Sequence, residues 1–132
     1  MGLIYLDSCI VIYAFERHPA HAQRLASMLD TRPASGFAVS PLVKLECLVR
    51  PIRTGNLVLQ QYYEEHLRKF SLLSMTDAVY HQAANLRARF GLKTPDALHL
   101  ATAQQHGCDA LWTNDDRLAR AGHGLGSNVL GE

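Results

Sequence analysis

Four short apolar runs punctuate the chain: LIYL (3–6), FAVS (37–40), FSLLSM (70–75) and ALWT (110–113). Each is too short for a buried helix and too continuously apolar for a strand with one wet face. Runs of this kind fit strands buried on both sides, and such strands pair in parallel. Parallel neighbours need a crossover between them, usually a helix. The intervening segments carry helical signals, so the expected class is α/β, with a parallel sheet covered on both faces.

The helix signals are local and chemical. Ser8 opens a helix through Phe15, and a second helical stretch runs from His18-Pro-Ala to near Leu29. TRPASG (31–36) reads as a loop. Ser40 is a good N-cap, Pro41 suits the first helical position, and Pro51 is expected to close that helix. Leu59, Tyr62, Tyr63 and Leu67 form a helical stripe. Thr76 caps a helix carrying Val79, Ala83, Leu86 and Phe90 on one face, with Gly91 as its stop. TPDALHLATAQQHG repeats this grammar, with Thr94 as cap, Pro95 in the first turn and Gly107 as stop; its Ala- and Leu-rich interior implies burial on most sides. NDDRLARA begins a short helix, and SNVL in the glycine-rich tail is a candidate edge strand. With no repeat or linker, residues 1–132 read as a single domain.

Composition excludes some classes. Hydrophobic residues make up 48% and charged residues 19%, which fits a globular chain and not a disordered one. No apolar run reaches the ~18 residues of a membrane span. No basic segment precedes the first apolar run, so no signal-peptide pattern is visible and a cytoplasmic location is expected. Cys9, Cys47 and Cys108 lie far apart in apolar segments, which suits reduced thiols better than disulfides or a zinc site. A net charge of +1 argues neither for nor against nucleic acid.

In open α/β sheets the functional crevice lies beyond the carboxyl ends of the strands. Asp7 follows LIYL directly, and Asn114, Asp115 and Asp116 follow ALWT. Glu46 adjoins the apolar stripe Leu42, Leu45 and Val49, and so borders a buried face. Asp96 lies in the first turn of the Ala-rich helix. Each acid alone has an ordinary explanation. Asp7 and one of Asp115 or Asp116 suit caps, Asp96 suits a helix dipole, and Glu46 suits solvent. As a set they converge if the sheet is parallel. Gathered carboxylates repel one another unless protonated or bridged by a cation. Oxygen ligands alone suit Mg²⁺ or Mn²⁺ better than zinc.

The succession LDSCIVIY, SPLVKLECL, TPDALHLATA and LWTNDDRLA resembles the PIN domain over essentially the whole chain. Within that family it is most similar to the VapC-type toxins of bacterial toxin–antitoxin pairs. The resemblance implies a three-layer α/β/α sandwich with a parallel sheet of four or five strands. It also implies a divalent-metal endoribonuclease that hydrolyses RNA with metal-activated water, a small antitoxin partner and a homodimer. Asp7, Glu46 and Asp96 match the first three acidic positions, and Asp115 the fourth, in the T-x-D motif formed by Thr113, Asn114 and Asp115. Asp116 is an extra acid beside the fourth position, and which of the pair faces the metal stays open. Ser8 and Thr113 match supporting polar positions.

The acids repel RNA, so cations must hold it. The candidates are Lys44, Arg50, Arg53, Arg87, Arg89 and Lys93, with Arg50 and Arg53 preferred for flanking Pro51 near Glu46. His99, three residues after Asp96, shares its helix face and reads as a packed histidine in preference to one lining the site. His18 and His21 read as surface histidines, Trp112 as core, and Tyr62 and Tyr63 as either a partner surface or an internal stripe. Two other readings stay open: a non-catalytic RNA- or protein-binding α/β module, and an aspartyl phosphatase-like enzyme built on Asp7. The second lacks its usual acid, because Cys9 stands where a D-x-D motif needs it.

Overall fold

The computed structural model describes residues 2–130. Among them five strands form one sheet: β1 (Ile4–Leu6), β2 (Phe37–Val39), β3 (Ser71–Leu72), β4 (Ala110–Thr113) and β5 (Gly126–Asn128). Their order is β3-β2-β1-β4-β5, and every neighbouring pair is parallel. The tail strand is therefore real, though it ends earlier than SNVL predicts. Seven α-helices accompany the strands among the described residues: α1 (Ser8–Phe15), α2 (Ala22–Leu29), α3 (Pro41–Thr54), α4 (Leu57–Leu67), α5 (Asp77–Phe90), α6 (Thr94–Gln105) and α7 (Asp116–Ala121).

The strand order explains the layers. From β1 the chain steps outward to β2 and β3, then returns past β1 to β4 and β5. Right-handed crossovers put the helices of the outward run on one face and those of the return run on the other. Packing agrees: α1 contacts α2 and α3, and α3 contacts α4, while α5 packs on α6 and α6 on α7. The core between the layers includes Tyr5, Leu6, Phe37, Leu100 and Leu111, all inaccessible to solvent. Strand order reverses beside β1, and the crevice between the carboxyl ends of β1 and β4 is the switch point of the sheet.

Several local expectations shift. Pro51 does not close α3, which continues to Thr54 and stops at Gly55 in the left-handed region, φ 68°. The proline forfeits one backbone bond but buries its ring beside Val43 and Cys47. That stripe faces the core; of Leu42, Leu45 and Val49 only Leu42 packs against it, and Leu45 and Val49 are exposed. The second helix begins at Ala22 and not His18, because a residue preceding proline disfavours helical geometry. Thr94 lies inside α6, whose N-cap is Lys93 with no side-chain bond; Pro95 costs nothing anywhere in the first turn. Only Ser71 and Leu72 of FSLLSM pair, because β3 has a neighbour on one side alone. Tyr63 is fully buried, with its hydroxyl donating to Glu16 Oε2 at 2.6 Å, so only Tyr62 offers surface.

The tail closes against α7 with almost no spare room. A Cβ on Gly126 would lie 2.8 Å from Ala119 Cα and 2.9 Å from Ala119 O, both backbone atoms. Gly126→Ala is therefore expected to lower Tm by roughly 5 °C or more, read by thermal unfolding, since the strand must move off the helix.

Candidate metal centre

Asp7 leaves β1 at the switch point and is 6% exposed. Thr113, the last residue of β4, donates its hydroxyl to Asp7 Oδ2 at 2.7 Å. The same hydroxyl oxygen accepts the Asp115 N–H at 3.1 Å. One side chain thus ties the ends of the two central strands together. Ser8 Oγ reaches Asp7 Oδ1 only at 3.4 Å.

Glu46 enters from α3, half-buried, beside the stripe of Val43 and Cys47. His99 enters from α6 and is 1% exposed. Its Nε2 donates to Glu46 Oε1 at 2.6 Å and stands 3.7 Å from Asp7 Oδ1, too far for a hydrogen bond. Ligand atoms of Asp7, Glu46 and His99 all fall within 4.8 Å of one another. Burial works to raise the pKa of Glu46, but the hydrogen bond and charge of His99, with help from Ser8, bring it below the usual carboxylate value.

Asp96, one helical turn before His99, lies outside that tight group. No hydrogen bond reaches its carboxylate among the described residues. Burial holds its pKa above the usual value, and the negative charges of Asp7, Asp115 and Glu46 add to the effect, against an opposing pull from His99. Asp96 therefore senses all three other acids. Asp115 caps α7, its Oδ1 accepting the N–H groups of Arg117 at 2.8 Å and Leu118 at 3.2 Å. Asp116 is exposed and turned to the tail strand, where Asn128 donates to its Oδ1 at 2.7 Å. Of the two neighbours, Asp115 is the one electrostatically coupled to the acids.

The structure thus brings Asp7 and Glu46 together beside His99, with Ser8 and Thr113 as hydrogen-bond donors to Asp7, while the charges of Asp7, Asp115 and Glu46 bear on Asp96. Asp7, Glu46 and Asp115 each have one oxygen anchored by a donor within 2.8 Å. Fixed carboxylates with further oxygens at hand, plus one acid raised by its neighbours' charge, fit a hard divalent cation.

His99 is what sequence reasoning undervalued. Packing was the expectation and burial is correct, but the ring also bonds a site carboxylate. The signal was its i+3 spacing from Asp96. His18 and His21 lie apart from this group, stacked on each other at 4.8 Å; Tyr13 stacks on His21 at 5.7 Å and lies tilted against His18 at 4.4 Å. Trp112 packs on the core beside Phe37. Arg50 contacts Glu16 at 3.4 Å and stays mostly exposed.

A doubly wound parallel sheet with an acidic crevice at its switch point is the class that fold and site define. Within that class, the chain belongs to the PIN domain family, whose model matches residues 4–124. It is 33% identical, over 98% of both chains, to the protein named Ribonuclease VapC46 of Mycobacterium tuberculosis. It also resembles a chain of a toxin–antitoxin complex from Klebsiella pneumoniae, at 25% identity, TM-score 0.71 and coverage of 85% and 86%. Mycobacterium tuberculosis VapC20, described as a sarcin–ricin loop cleaving toxin, shares the fold at TM-score 0.76 and 15% identity, over 90% of this chain and 95% of that one.

Proposed function

We propose that this protein is a divalent-metal-dependent endoribonuclease acting as the toxin of a toxin–antitoxin pair. The observation that carries the reading is the meeting of Asp7 and Glu46 beside His99, within 4.8 Å of one another, with the charges of Asp7, Asp115 and Glu46 bearing on Asp96. The relative named as a ribonuclease, similar along nearly its full length, supports the activity. The toxin–antitoxin complex supports a small antitoxin partner. A homodimer is part of the same proposal, supported by the exposed apolar side chains Leu45, Val49 and Ile52 on α3 and Leu57 and Val58 on α4. No helix among the described residues is long and apolar enough to cross a membrane. We place the protein in the cytoplasm, where its RNA is, and read residues 1–132 as one functional unit.

Mg²⁺ or Mn²⁺ bound among the acids would lower the pKa of a water molecule and neutralise charge on the phosphate under attack. Asp7, Glu46, Asp96 and Asp115 are the residues that would hold it. Thr113 keeps Asp7 aimed by one oxygen, and His99 does the same for Glu46. Asp115 is set by the N-terminal N–H groups of α7. No nucleophilic side chain is required, and none of the buried thiols is suited to the task. Burial pushes the Cys9 and Cys47 thiols well above their usual range.

RNA must be gripped against the repulsion of the acids. Arg50 and Arg53 follow Glu46 by four and seven residues along α3, one stripe of the same helix. They are the proposed phosphate contacts. The test is cleavage of total RNA by the purified protein with Mg²⁺ or Mn²⁺, followed by end mapping. Discrete cuts with 5′-phosphate and 3′-hydroxyl ends, abolished by chelator, are expected. Intact RNA that is retarded on a gel would instead favour a binding module.

A further inference from the structure

A buried hydrogen-bond chain runs behind the acids. Val43 N–H donates to Ser40 Oγ at 3.5 Å. Ser40 Oγ lies 2.7 Å from the Tyr5 hydroxyl, which lies 2.6 Å from His99 Nδ1. His99 Nε2 then reaches Glu46 Oε1 at 2.6 Å. Ser40 and Tyr5 are wholly inaccessible and His99 is 1% exposed. Both contacts of the His99 ring, at 2.6 Å, are short for their type, and the Ser40–Tyr5 contact has the usual length for two hydroxyls.

The chain's anchor points make it more than a buried polar cluster. Tyr5 stands in β1 two residues before Asp7, and Ser40 caps α3, the helix of Glu46. His99 stands in α6 one turn after Asp96. Three elements that each deliver an acid also each deliver one link. A carboxylate only accepts, so the proton of the His99–Glu46 contact sits on Nε2. That nitrogen is therefore engaged as a donor and is not offered to a cation, even though it lies within ligand distance of Asp7 and Glu46. The Tyr5 hydroxyl holds the second ring nitrogen, so the imidazole cannot turn without breaking one of two short bonds.

We infer that Ser40, Tyr5 and His99 form a positioning relay that fixes Glu46 and sets the spacing of the acid-bearing elements for cation binding, with His99 outside the ligand set. The inference rests on the metal-centre reading above. Outer partners of this kind typically tune metal affinity by 10–100-fold. Tyr5→Phe is the cleanest probe, since it deletes one oxygen from a ring whose packing stays the same.

The experiment is calorimetric titration of the purified full chain with Mn²⁺, joined to pulsed electron paramagnetic resonance of the bound ion. Tyr5→Phe and His99→Leu are expected to weaken Mn²⁺ binding by about tenfold or more. His99→Gln, which keeps an N–H donor for Glu46, is expected to recover most of that loss. Val79→Ala removes buried volume in α5, a helix that supplies no link of the relay, and serves as the control for lost Tm; it is expected to bind Mn²⁺ like the wild type. The bound ion should show no directly coordinated nitrogen. Wild-type affinity in both Tyr5→Phe and His99→Leu, an equal loss in Val79→Ala, or a coordinated nitrogen signal each overturns the relay while leaving the metal centre standing. A wild-type chain that binds no Mn²⁺ overturns the metal centre, and the relay falls with it.

Discussion

Asp7→Asn is expected to reduce RNA cleavage by ~10³-fold or more while leaving the fold intact. The amide has the same shape, and its oxygen can still accept the Thr113 hydroxyl that now reaches Oδ2 at 2.7 Å. What disappears is the charge. Asp7 sits at the switch point, nearly inaccessible, within reach of both Glu46 and His99. A buried position strengthens its attraction for a cation relative to an exposed acid. The measurement is initial cleavage rate on a fixed RNA, with circular dichroism to confirm folding. A folded Asp7→Asn protein that cuts at more than a tenth of the wild-type rate would remove Asp7 from the centre of the proposed chemistry.

Asp96→Asn should pull activity and stability in opposite directions. Burial and the charges of Asp7, Asp115 and Glu46 raise the Asp96 pKa, so the folded protein binds a proton there more readily than the unfolded chain does. Stability contributed by that site therefore falls as pH rises between the unfolded and folded pKa values. Above the folded value the full penalty is in place. The asparagine never ionises and escapes it. Metal-free Asp96→Asn is accordingly expected to melt roughly 2–4 °C above the wild type at pH 7, a gain kept modest by solvent screening of a half-buried group. The gain should shrink as pH falls through the raised folded value and be gone below the ordinary aspartate range. Cleavage should fall by about 10²-fold or more in the same variant. Equal melting temperatures across that pH range would mean the acids do not strain one another. Saturating Mg²⁺ should raise the wild-type Tm by more than that of the variant, because a cation relieves in one what the mutation relieved in the other.

These effects depend on positions whose legibility differed. Asp7 and Asp115 were readable because the first directly follows a short apolar strand and the second lies two residues beyond one, and parallel strands present such positions at one edge. Asp96 was marked by its place in a capped first turn. Glu46 was placed beside a buried face for a partly mistaken reason. The apolar residues Leu45 and Val49 turn outward, and Val43, Cys47 and Pro51 turn in. Hydrophobicity states which residues favour burial, but a helix with two apolar faces does not say which will be covered. Pro51 illustrates the same limit, since its sequence signal for stopping yields to the packing of its ring.

The role of His99 needed coordinates. Its i+3 spacing to Asp96 put it on the right helix face, yet the contacts that matter are to Tyr5 and Glu46, 94 and 53 residues away in sequence. Asp116 turns to Asn128, on a strand that pairs after the chain has turned back, while Asp115 accepts the N–H groups of Arg117 and Leu118. Local chemistry in the sequence determined the alternation of strand and helix, the parallel sheet and the four acids, because periodicity, capping and strand ends act over a few residues. The tertiary structure alone decided which helix faces are covered, which partners each acid of a neighbouring pair takes, and how a buried ring aims a carboxylate. Those outcomes depend on side chains brought together across the sheet, at distances no sequence spacing encodes.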